Sequence, residues 1–250
     1  MKADERCKLA CTILIPAHNE EKTIRAVVEG ALAHADTVLV VNDGSTDGTV
    51  AALEGLPVEI VDHAENRGKG CRLAEGFDHA FANGADAVLT LDADDQHDPD
   101  DIPAFVSAAL RSPGCLVIGD RFEDRASMPE GRALPIRFGD FFISWAGERR
   151  IRDGQCGMRL YPAELWRQTH VPEAERTHFV FETAILFRAA EAGFGFVRVP
   201  IKARYQGFVR RPSHFRPIID TLRIVRTIAG FLIARGLKPR GLLIALGVLR

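Results

Sequence analysis

Residues 86–99 read Asp-Ala-Val-Leu-Thr-Leu-Asp-Ala-Asp-Asp-Gln-His-Asp-Pro, a short apolar run followed directly by a cluster of acids. The apolar run at 86–91 predicts a strand that is buried on both faces. Asp98 followed by Pro99 is typical of a helix N-cap with a first-turn proline, so a helix is predicted over 100–110. The stretch therefore indicates a strand, a polar loop and a helix, which is the repeating unit of parallel sheets.

The same unit recurs on both sides of this stretch. Periodicity predicts strands at 10–15, 37–41, 57–61 and 115–118, and helices at 20–35, 46–54 and 69–82. This alternation predicts an α/β protein with a Rossmann-like, doubly wound, mostly parallel sheet. Ligands of such sheets bind outside the carboxyl ends of the strands, so residues just after each strand are the first candidates for a site.

The alternation stops after Asp120. Residues 122–132 are charged and contain proline and glycine, which predicts a surface loop. Beyond that loop we expect helices at 138–149, 179–192 and 221–234, a turn-rich stretch at 154–157, a strand at 195–201 and a short apolar run at 242–249.

Composition sets limits on the class of protein. The 250 residues are 46% hydrophobic and 26% charged, as in soluble globular proteins, which excludes a collagenous, disordered or disulfide-scaffold protein. Five scattered cysteines without a Cys-x-x-Cys pair favour reduced thiols in a cytosolic protein over a zinc site. Charges interrupt every apolar stretch before about 18 residues, and residues 1–8 lack an apolar core, so neither a transmembrane helix nor a signal peptide is expected.

The charge is unevenly distributed along the chain. Residues 198–250 hold twelve Lys/Arg and one acid, a net charge of +11, whereas residues 1–197 hold 20 basic and 33 acidic residues, or −13. A cationic tail on an acidic body predicts an anionic partner, such as a phosphorylated substrate or acidic lipid head groups. Nucleic acid is not expected, because the tail lacks interleaved aromatic residues or a known motif.

The acids after the 86–91 strand have the spacing of a metal site. Residues two apart in an extended chain point the same way, about 6.6 Å apart, so Asp92 and Asp94 can converge on one cation. Such oxygen ligands suit Mg²⁺ or Mn²⁺, which keep open positions for substrate phosphates. The alternative is a loop whose acids only cap the next helix, but Asp98 does that alone and leaves the other acids unexplained.

Two further loops follow strands of the same series. Residues 40–49 carry Asn42 and Asp43 before a glycine turn, where a carboxylate can bind a base or ribose; a plain turn with a helix cap is the alternative. Residues 15–21 leave the first strand through Pro16, with Asn19 as a candidate helix cap. Neither loop has the G-x-G-x-x-G or Walker A pattern, which disfavours NAD and P-loop chemistry.

In this order, the segments resemble inverting family 2 glycosyltransferases with the GT-A fold, and within that family the polyprenol-phosphate (dolichol-phosphate mannose-type) sugar transferases. The resemblance covers residues 11–205 and rests on segments 13–21, 40–49, 66–70, 91–99, 119–122, 153–159 and 199–201. It implies metal binding by Asp92, Asp94 and Gln96, with Mn²⁺ or Mg²⁺ as the ion, and binding of a UDP- or GDP-linked sugar. The implied nucleotide-sugar residues are Pro16, Ala17, Asn19, Glu20, Asn42, Asp43, Lys69, Asp92 and Ala93. Asn42 departs from the acid that the family commonly has there.

The acceptor is open to two interpretations. A hydroxyl acceptor needs a side-chain base, for which Asp153 and Glu182 are candidates; a helix-dipole role for Glu182 is the alternative. A lipid phosphate is already anionic and needs cations instead. The resemblance places Arg121 at a phosphate, and the charge of the chain adds further candidates: Arg137, Lys202, Arg204, Arg210, Arg211, His214 and Arg216.

The predicted organisation is a GT-A domain at 1–205, with a nucleotide-sugar half at about 10–120 and an acceptor half at about 121–205. Residues 206–250 form a basic, amphipathic helical extension that is expected to contact a membrane surface. The predicted protein is thus a cytoplasmic enzyme, peripheral on the inner face of the membrane, that glycosylates a lipid phosphate. A membrane-protein partner is also expected, since family members often continue into transmembrane helices. Two alternatives are a transferase acting on a hydroxyl of a lipid, pigment or saccharide, and a non-catalytic nucleotide-binding subunit of a membrane complex.

Overall fold

The computed structural model describes residues 9–122, 133–177, 180–202, 204 and 217–249, with the backbone alone for 217–221. Within residues 9–122, strands and α-helices follow one another as the sequence predicts. They are β1 (Cys11–Ala17), α1 (Ile24–Leu32), β2 (Thr37–Asp43), β3 (Glu59–His63), α2 (Lys69–Ala82), β4 (Ala87–Thr90), α3 (Ile102–Arg111) and β5 (Leu116–Asp120).

The later described ranges contribute mainly helices. They hold α4 (Ala133–Gly147), β6 (Arg159–Pro162), α5 (Ala163–Gln168), α6 (Val180–Glu191), β7 (Phe196–Pro200), α7 (Pro217–Ala234) and α8 (Pro239–Ala245). Of the predicted 122–132 loop, residues 123–132 lie outside the described residues. The helix predicted at 138–149 begins five residues earlier, at Ala133.

The described strands form one sheet in the order β3-β2-β1-β4-β6-β5-β7. Strand β6 is antiparallel to both β4 and β5, whereas the other described pairs are parallel. The predicted α/β class with a mostly parallel sheet is therefore confirmed. The central strands are buried on both faces, since Ile13, Leu14 and Ile15 of β1 and Val88 and Leu89 of β4 are 0% exposed. Continuous apolar runs are the sequence signature of such strands.

Two details of the sequence prediction are wrong. The helix predicted at 46–54 is a single 3-10 turn, Ala51–Leu53. Side chains compete with the helix there, because Asp47 accepts a hydrogen bond from the N–H of Thr49 and Glu21 accepts one from that of Gly48. Strand β6 and helix α5 were not predicted, since β6 has only four residues and contains an arginine and a proline.

Helices α7 and α8 pack on helices α4 and α6. The ring of Phe231 in α7 lies 4.3 Å, centroid to centroid, from that of Phe187 in α6. The indole N–H of Trp145 in α4 donates to the carbonyl of Leu237 at 2.7 Å. Gly241 of α8 lies so close to α4 that a Cβ there would meet the Trp145 carbonyl oxygen at 2.1 Å. Only glycine allows this approach of α8 to α4.

Candidate active site

The polar loops meet at one edge of the sheet. Strands β1, β2 and β4 are parallel, and β6 runs opposite to both β4 and β5, so β5 has the direction of β4. Arg159 at the start of β6 pairs with Thr90 on one side and Ile118 on the other. The loops after β1, β2, β4 and β5 therefore lie at the carboxyl edge, where open α/β sheets bind ligands.

The loops after β1 and β2 are tied together by hydrogen bonds. Asn19 has a left-handed backbone, with φ 55°, and its side-chain oxygen accepts from the N–H of Thr46 at 2.8 Å. The N–H of Asn19 donates to the hydroxyl of Ser45, and that of Glu20 to the hydroxyl of Thr49. The structure thus brings together the predicted nucleotide residues of both loops.

Asp43 organises the loop before α2. Its two carboxylate oxygens accept from the backbone N–H groups of Arg67 and Gly68, each at 2.8 Å, and from Nε of Arg72 at 2.7 Å. Both Asp43 and Arg72 are buried. The carboxylate that the sequence assigns to a base or ribose is therefore used to shape the wall of the pocket.

The neighbouring Asn42 has a local reason to be an amide. Its Nδ2 donates to the carboxylate of Asp62 at 2.6 Å, while its Oδ1 accepts from the hydroxyl of Ser45. An aspartate at position 42 would place two carboxylates in contact, which is unfavourable when both are charged. The amide at position 42, where the family commonly has an acid, is thus explained by its contact with Asp62 on β3.

Lys69 joins the nucleotide-sugar half to the acceptor half. Its ammonium, at the start of α2, lies 2.6 Å from Asp92 Oδ1 and 3.0 Å from Glu182 Oε1 in α6. Burial alone would lower the pKa of Lys69, but the two carboxylates raise it above its usual range. Burial likewise opposes ionisation of Asp92, yet Lys69 and His97 bring the pKa of Asp92 down to about 2. The pair is therefore charged at neutral pH.

Asp94 is the more weakly ionised acid of the predicted metal site. Burial, together with the charge of Asp92, raises the pKa of Asp94 to about 7. Its carboxylate accepts from the backbone N–H and the side-chain amide of Gln96, at 3.1 and 2.7 Å. The structure thus brings Asp92, Asp94 and Gln96 together in one loop.

Three observations show that this loop fits a divalent cation. Its donors are carboxylate and amide oxygens, the ligands that Mg²⁺ and Mn²⁺ take. The repulsion that raises the pKa of Asp94 is the kind that a bound cation relieves. The buried Nδ1 of His97 has no hydrogen-bond partner and lies 3.8 Å from Asp92 Oδ2. In the described ranges no three His, Cys, Asp or Glu side chains form a metal cluster on their own.

The site is closed on one side by a glycine. A Cβ on Gly157 would lie 2.4 Å from a carboxylate oxygen of Asp92, so no larger residue fits beside the Asp92 carboxylate as it stands. Buried Arg159 holds this turn, donating to the carbonyls of Gly154 and Cys156 and, across the site, to that of Glu182. Sequence reasoning missed Arg159 as an organising residue, although an arginine inside an apolar Met-Arg-Leu-Tyr stretch is a usable signal.

Arg121 and Asp153 form a buried ion pair. Both Asp153 oxygens accept from the Arg121 guanidinium, at 2.6 and 2.9 Å, and one accepts from the Arg121 N–H at 2.8 Å. Asp140 of α4 accepts from the N–H groups of Asp153 and Gly154, which fixes the left-handed backbone of Asp153, φ 54°. Burial raises the pKa of Asp140 to about 6. The positive charge of Arg121 also acts on Asp92, lowering its pKa.

The other predicted phosphate-binding residues are placed differently from one another. Arg204 forms ion pairs with Asp95 at 3.0 Å and Asp98 at 2.8 Å, and its N–H donates to the Gln96 carbonyl. The segment after β7 therefore contacts the loop at 92–98, which carries the candidate metal ligands. Lys202 and Arg137 are exposed. The candidates Arg210, Arg211, His214 and Arg216 lie outside the described residues.

The C-terminal helices expose apolar side chains between basic ones. Large side chains of α7, α8 and their ends are 40–71% exposed, among exposed arginines of the same segment. These apolar residues are Leu222, Val225, Ile233, Leu237, Leu243, Leu246, Val248 and Leu249. No helix in the described ranges has both the length and the apolar character needed to span a bilayer.

Two named sugar transferases are similar to this chain in sequence. The chain is 28% identical over 216 residues to a UDP-N-acetylglucosamine–dolichyl-phosphate N-acetylglucosaminyltransferase of Methanococcus voltae, covering 77% of this chain and 85% of that protein. It is 29% identical over 204 residues to an undecaprenyl-phosphate mannosyltransferase of Micrococcus luteus, covering 75% and 81%.

A solved structure confirms the GT-A type of fold. Glucosyl-3-phosphoglycerate synthase from Mycobacterium tuberculosis, solved with Mn²⁺, uridine diphosphate and phosphoglyceric acid, superposes with a TM-score of 0.66 at 20% identity, over 90% of this chain and 78% of that one. The family model for glycosyl transferase family 2 matches residues 12–165, more than half of the chain. The chain therefore belongs to glycosyltransferase family 2 and is a glycosyltransferase.

Proposed function

We propose that this glycosyltransferase moves a sugar from a UDP- or GDP-linked donor to a polyprenyl phosphate. The observation that carries the proposal is the pairing of both candidate bases with cations. Asp153 is 0% exposed and both its oxygens accept from Arg121, while Glu182 accepts from Lys69. A hydroxyl acceptor must give its proton to a base, whereas a phosphate oxygen is already anionic. Carboxylates held in ion pairs favour the phosphate acceptor.

The names of the relatives support the same acceptor class. The two similar transferases described above act, by name, on dolichyl phosphate and undecaprenyl phosphate, and this chain covers 85% and 81% of their lengths. Both acceptors are isoprenoid lipids that end in a phosphate monoester. We therefore assign the acceptor to this chemical class and leave the sugar and the base to experiment.

The donor occupies the edge formed by the first three loops. The diphosphate lies near Lys69, whose ammonium provides positive charge beside Asp92. The nucleoside lies along the loops after β1 and β2, whose geometry is fixed by the Asp43 and Asn42 hydrogen bonds. The residues proposed to line it are Pro16, Ala17, Asn19, Glu20, Asn42, Asp43 and Ala93.

Asp92, Asp94 and Gln96 would hold Mg²⁺ or Mn²⁺, and the solved structure that superposes on this chain contains Mn²⁺ and uridine diphosphate. When bound, the cation stabilises the negative charge of the departing nucleoside diphosphate. The protein's own contribution is to orient these ligands. Gly157 admits the Asp92 carboxylate, the Gln96 amide fixes that of Asp94, and the Lys69 ammonium, 2.6 Å from Asp92 Oδ1, provides positive charge for the diphosphate.

The C-terminal helices supply the surface that meets the lipid. Apolar side chains such as Ile233 and Leu246, 71% and 59% exposed, lie among arginines, the composition of helices that bind in the interfacial layer. The proposed location is the inner, cytoplasmic face of the membrane, where anionic lipids attract basic segments. A membrane-protein partner remains part of this proposal.

Incubation of the purified enzyme with labelled UDP- and GDP-sugars, Mn²⁺ and either a polyprenyl phosphate or the matching polyprenol tests the proposal. We expect label in the lipid fraction only with the phosphate, and a rate that chelation by EDTA abolishes. Transfer to the polyprenol at an equal or higher rate would contradict the phosphate acceptor. In that case replacing Glu182 or Asp153 by its amide must remove turnover, because a base is then required.

A further inference from the structure

Two half-exposed arginines converge on one buried carboxylate at the end of β5. Arg198 Nη1 lies 2.9 Å from Asp120 Oδ2, and Arg152 Nε lies 3.4 Å from the same oxygen. The Asp120 side chain is 1% exposed, whereas those of Arg198 and Arg152 are 50% and 45% exposed. One carboxylate therefore anchors two guanidinium groups whose remaining donors face outward.

A third arginine joins the same group through an aromatic ring. The guanidinium carbons of Arg137 and Arg152 lie 5.7 and 5.3 Å from the centroid of Phe122, a distance that suits cation–π contact. Phe122 is 4% exposed, so the ring is a fixed support for both groups. Arg137 belongs to α4, Arg152 precedes β6 and Arg198 lies in β7, so three separate elements supply the arginines.

The charges of this group do not balance. Arg152 and Arg198 share the carboxylate of Asp120, and the Phe122 ring holds Arg137 beside Arg152, so among the described residues these three guanidinium groups and one carboxylate carry a net charge of about +2. Structural ion pairs are usually matched, and unmatched cations held close together repel each other. A phosphate monoester carries up to two negative charges, and guanidinium forks bind phosphate oxygens in pairs. The excess charge and the donor geometry both fit such a ligand.

Arg137, Arg152 and Arg198 lie on elements that border the loop at 92–98, which carries the candidate metal ligands. Arg152 directly precedes the 153–157 turn, in which Gly157 packs against the Asp92 carboxylate. Asp120 ends β5, which is joined through β6 to β4, the strand before Asp92. The arginines are therefore carried by elements that also border the loop proposed to hold the donor diphosphate. Transfer from the donor to an acceptor phosphate requires such proximity.

We infer that Arg137, Arg152 and Arg198 form the site that binds the phosphate monoester of the acceptor, an assignment that rests on the proposed function. It keeps Arg137 from the sequence-based expectation, which also placed the phosphate on Arg121, Lys202 and Arg204. Arg121 is paired with buried Asp153, and Arg204 with both Asp95 and Asp98, so each has at least one carboxylate of its own, whereas Arg152 and Arg198 share a single one. Arg152 and Arg198 had not been identified from the sequence.

Binding of three probes to the full chain tests this site. The probes are a ten-carbon isoprenyl monophosphate, the corresponding alcohol and inorganic phosphate, titrated calorimetrically in the presence of uridine diphosphate and Mn²⁺. The variants are Arg152→Gln and Arg137→Gln, with Arg150→Gln as the control, because Arg150 is an exposed arginine of the same loop. Arg137→Gln leaves both contacts of Asp120 in place, so it stays informative if variants of the Asp120 pair unfold.

We expect each test variant to bind the monophosphate at least about tenfold more weakly than wild type, while Arg150→Gln is unchanged. The alcohol should bind equally to all forms. If the isoprenyl monophosphate binds more tightly than inorganic phosphate, the phosphate recognised by this site belongs to a lipid. If the two bind equally and the variants bind neither, the site recognises the phosphate group alone. Unchanged monophosphate binding in both variants, or no binding by wild type, would overturn the site.

The same variants separate this inference from the proposed function. If no sugar reaches any lipid phosphate but Arg152→Gln still weakens monophosphate binding, the proposed function fails and the site stands. If transfer to polyprenyl phosphate proceeds with an acceptor KM that the variants do not change, the proposed function stands and the site fails. Donor affinity, measured with uridine diphosphate and Mn²⁺, should be the same in all forms.

Discussion

Residues 10–120, the proposed nucleotide-sugar half, and residues 121–205, the proposed acceptor half, place opposite charges at the same edge of the sheet. In the first half the groups that follow the strands are carboxylates, Asp43 and Asp92, and helix α2 supplies the cations that pair with them. In the second half the exposed groups are arginines, Arg152 and Arg198, and the carboxylate that pairs with them is buried. One half thus offers oxygen ligands to a cation, while the other offers guanidinium groups to an anion.

The contrast explains how two anionic substrates can share one pocket. A nucleoside diphosphate and a phosphate monoester repel each other unless each has its own counter-charge. In the proposed function, Lys69 and the cation would balance the charge of the first, and the inferred site of arginines from three elements would balance that of the second. Lys69, in contact with both Asp92 and Glu182, is where the two halves meet.

The largest expected effect comes from breaking the buried ion pair of the acceptor half. Arg121→Gln leaves the Asp153 carboxylate buried without its bidentate partner, which should lower the free energy of unfolding by about 3–5 kcal/mol. Urea denaturation measures this change. Arg111→Gln, at the exposed end of α3, is the control. Adding Asp153→Asn to Arg121→Gln should recover part of the lost stability. If Arg121→Gln alone lowers the free energy of unfolding by less than about 1 kcal/mol, a buried ion pair is contradicted.

A second prediction addresses the nucleotide-sugar half. Asp94→Asn removes a proposed metal ligand without breaking the Lys69–Asp92 pair, so kcat/KM should fall about 10²–10³-fold while the fold is kept. Manganese affinity, followed by electron paramagnetic resonance, should fall with it. Asp100→Asn, whose side chain is 81% exposed, is the matched control. Full activity of Asp94→Asn at low Mn²⁺ would rule out the metal site.

A third, smaller effect is a pH dependence in the acceptor half. The pKa of Asp140, raised to about 6 by burial, means that the folded protein favours the protonated acid. The stability that this provides is complete below about pH 4 and is lost as the pH rises through about 6. Between pH 5 and 8 the wild type should lose about 1 kcal/mol more than Asp140→Asn in urea denaturation. Parallel pH profiles of the two proteins would show that Asp140 does not titrate in this range.

The smallest expected effect concerns the membrane surface. Removing one exposed arginine of α7 by Arg226→Gln should weaken binding to vesicles with anionic lipid by about 1 kcal/mol, or about fivefold. Sedimentation with vesicles measures the change, and Arg111→Gln, far along the chain in α3, controls for charge alone. Equal losses in both variants would mean that the attraction is general and not centred on the C-terminal helices.

The two halves also differ in how far the sequence predicts them. In the first half most strands contain a continuous apolar run and most helices a clear period, so helix α2 was predicted with its observed ends, 69 and 82. In the second half β6 is a four-residue strand whose register depends on β4 and β5, which are distant along the chain. Pattern reasoning sees only local periodicity and misses such a strand.

The residues of the candidate site also differ in how far the sequence predicts them. Asp92 and Asp94 were found because two acids follow one strand at a fixed spacing, and the structure keeps them in one loop. The partners of the charged residues were not predictable: Asp153 pairs with Arg121, 32 residues away, and Asp95 with Arg204, 109 residues away. Arginine charge is visible in a sequence, but only the fold decides which arginines are neutralised internally and which face outward.

The close approach at Gly241 matters to anyone who wishes to shorten this protein. Helices α7 and α8 bury Ile228, Phe231, Leu232 and Ile244 against the rest of the molecule. A truncation before residue 217, aimed at a more soluble enzyme, would uncover the apolar surface of α4 and α6 that they protect, and aggregation would follow. Replacing exposed leucines such as Leu246 with polar residues is therefore the safer route to a well-behaved preparation.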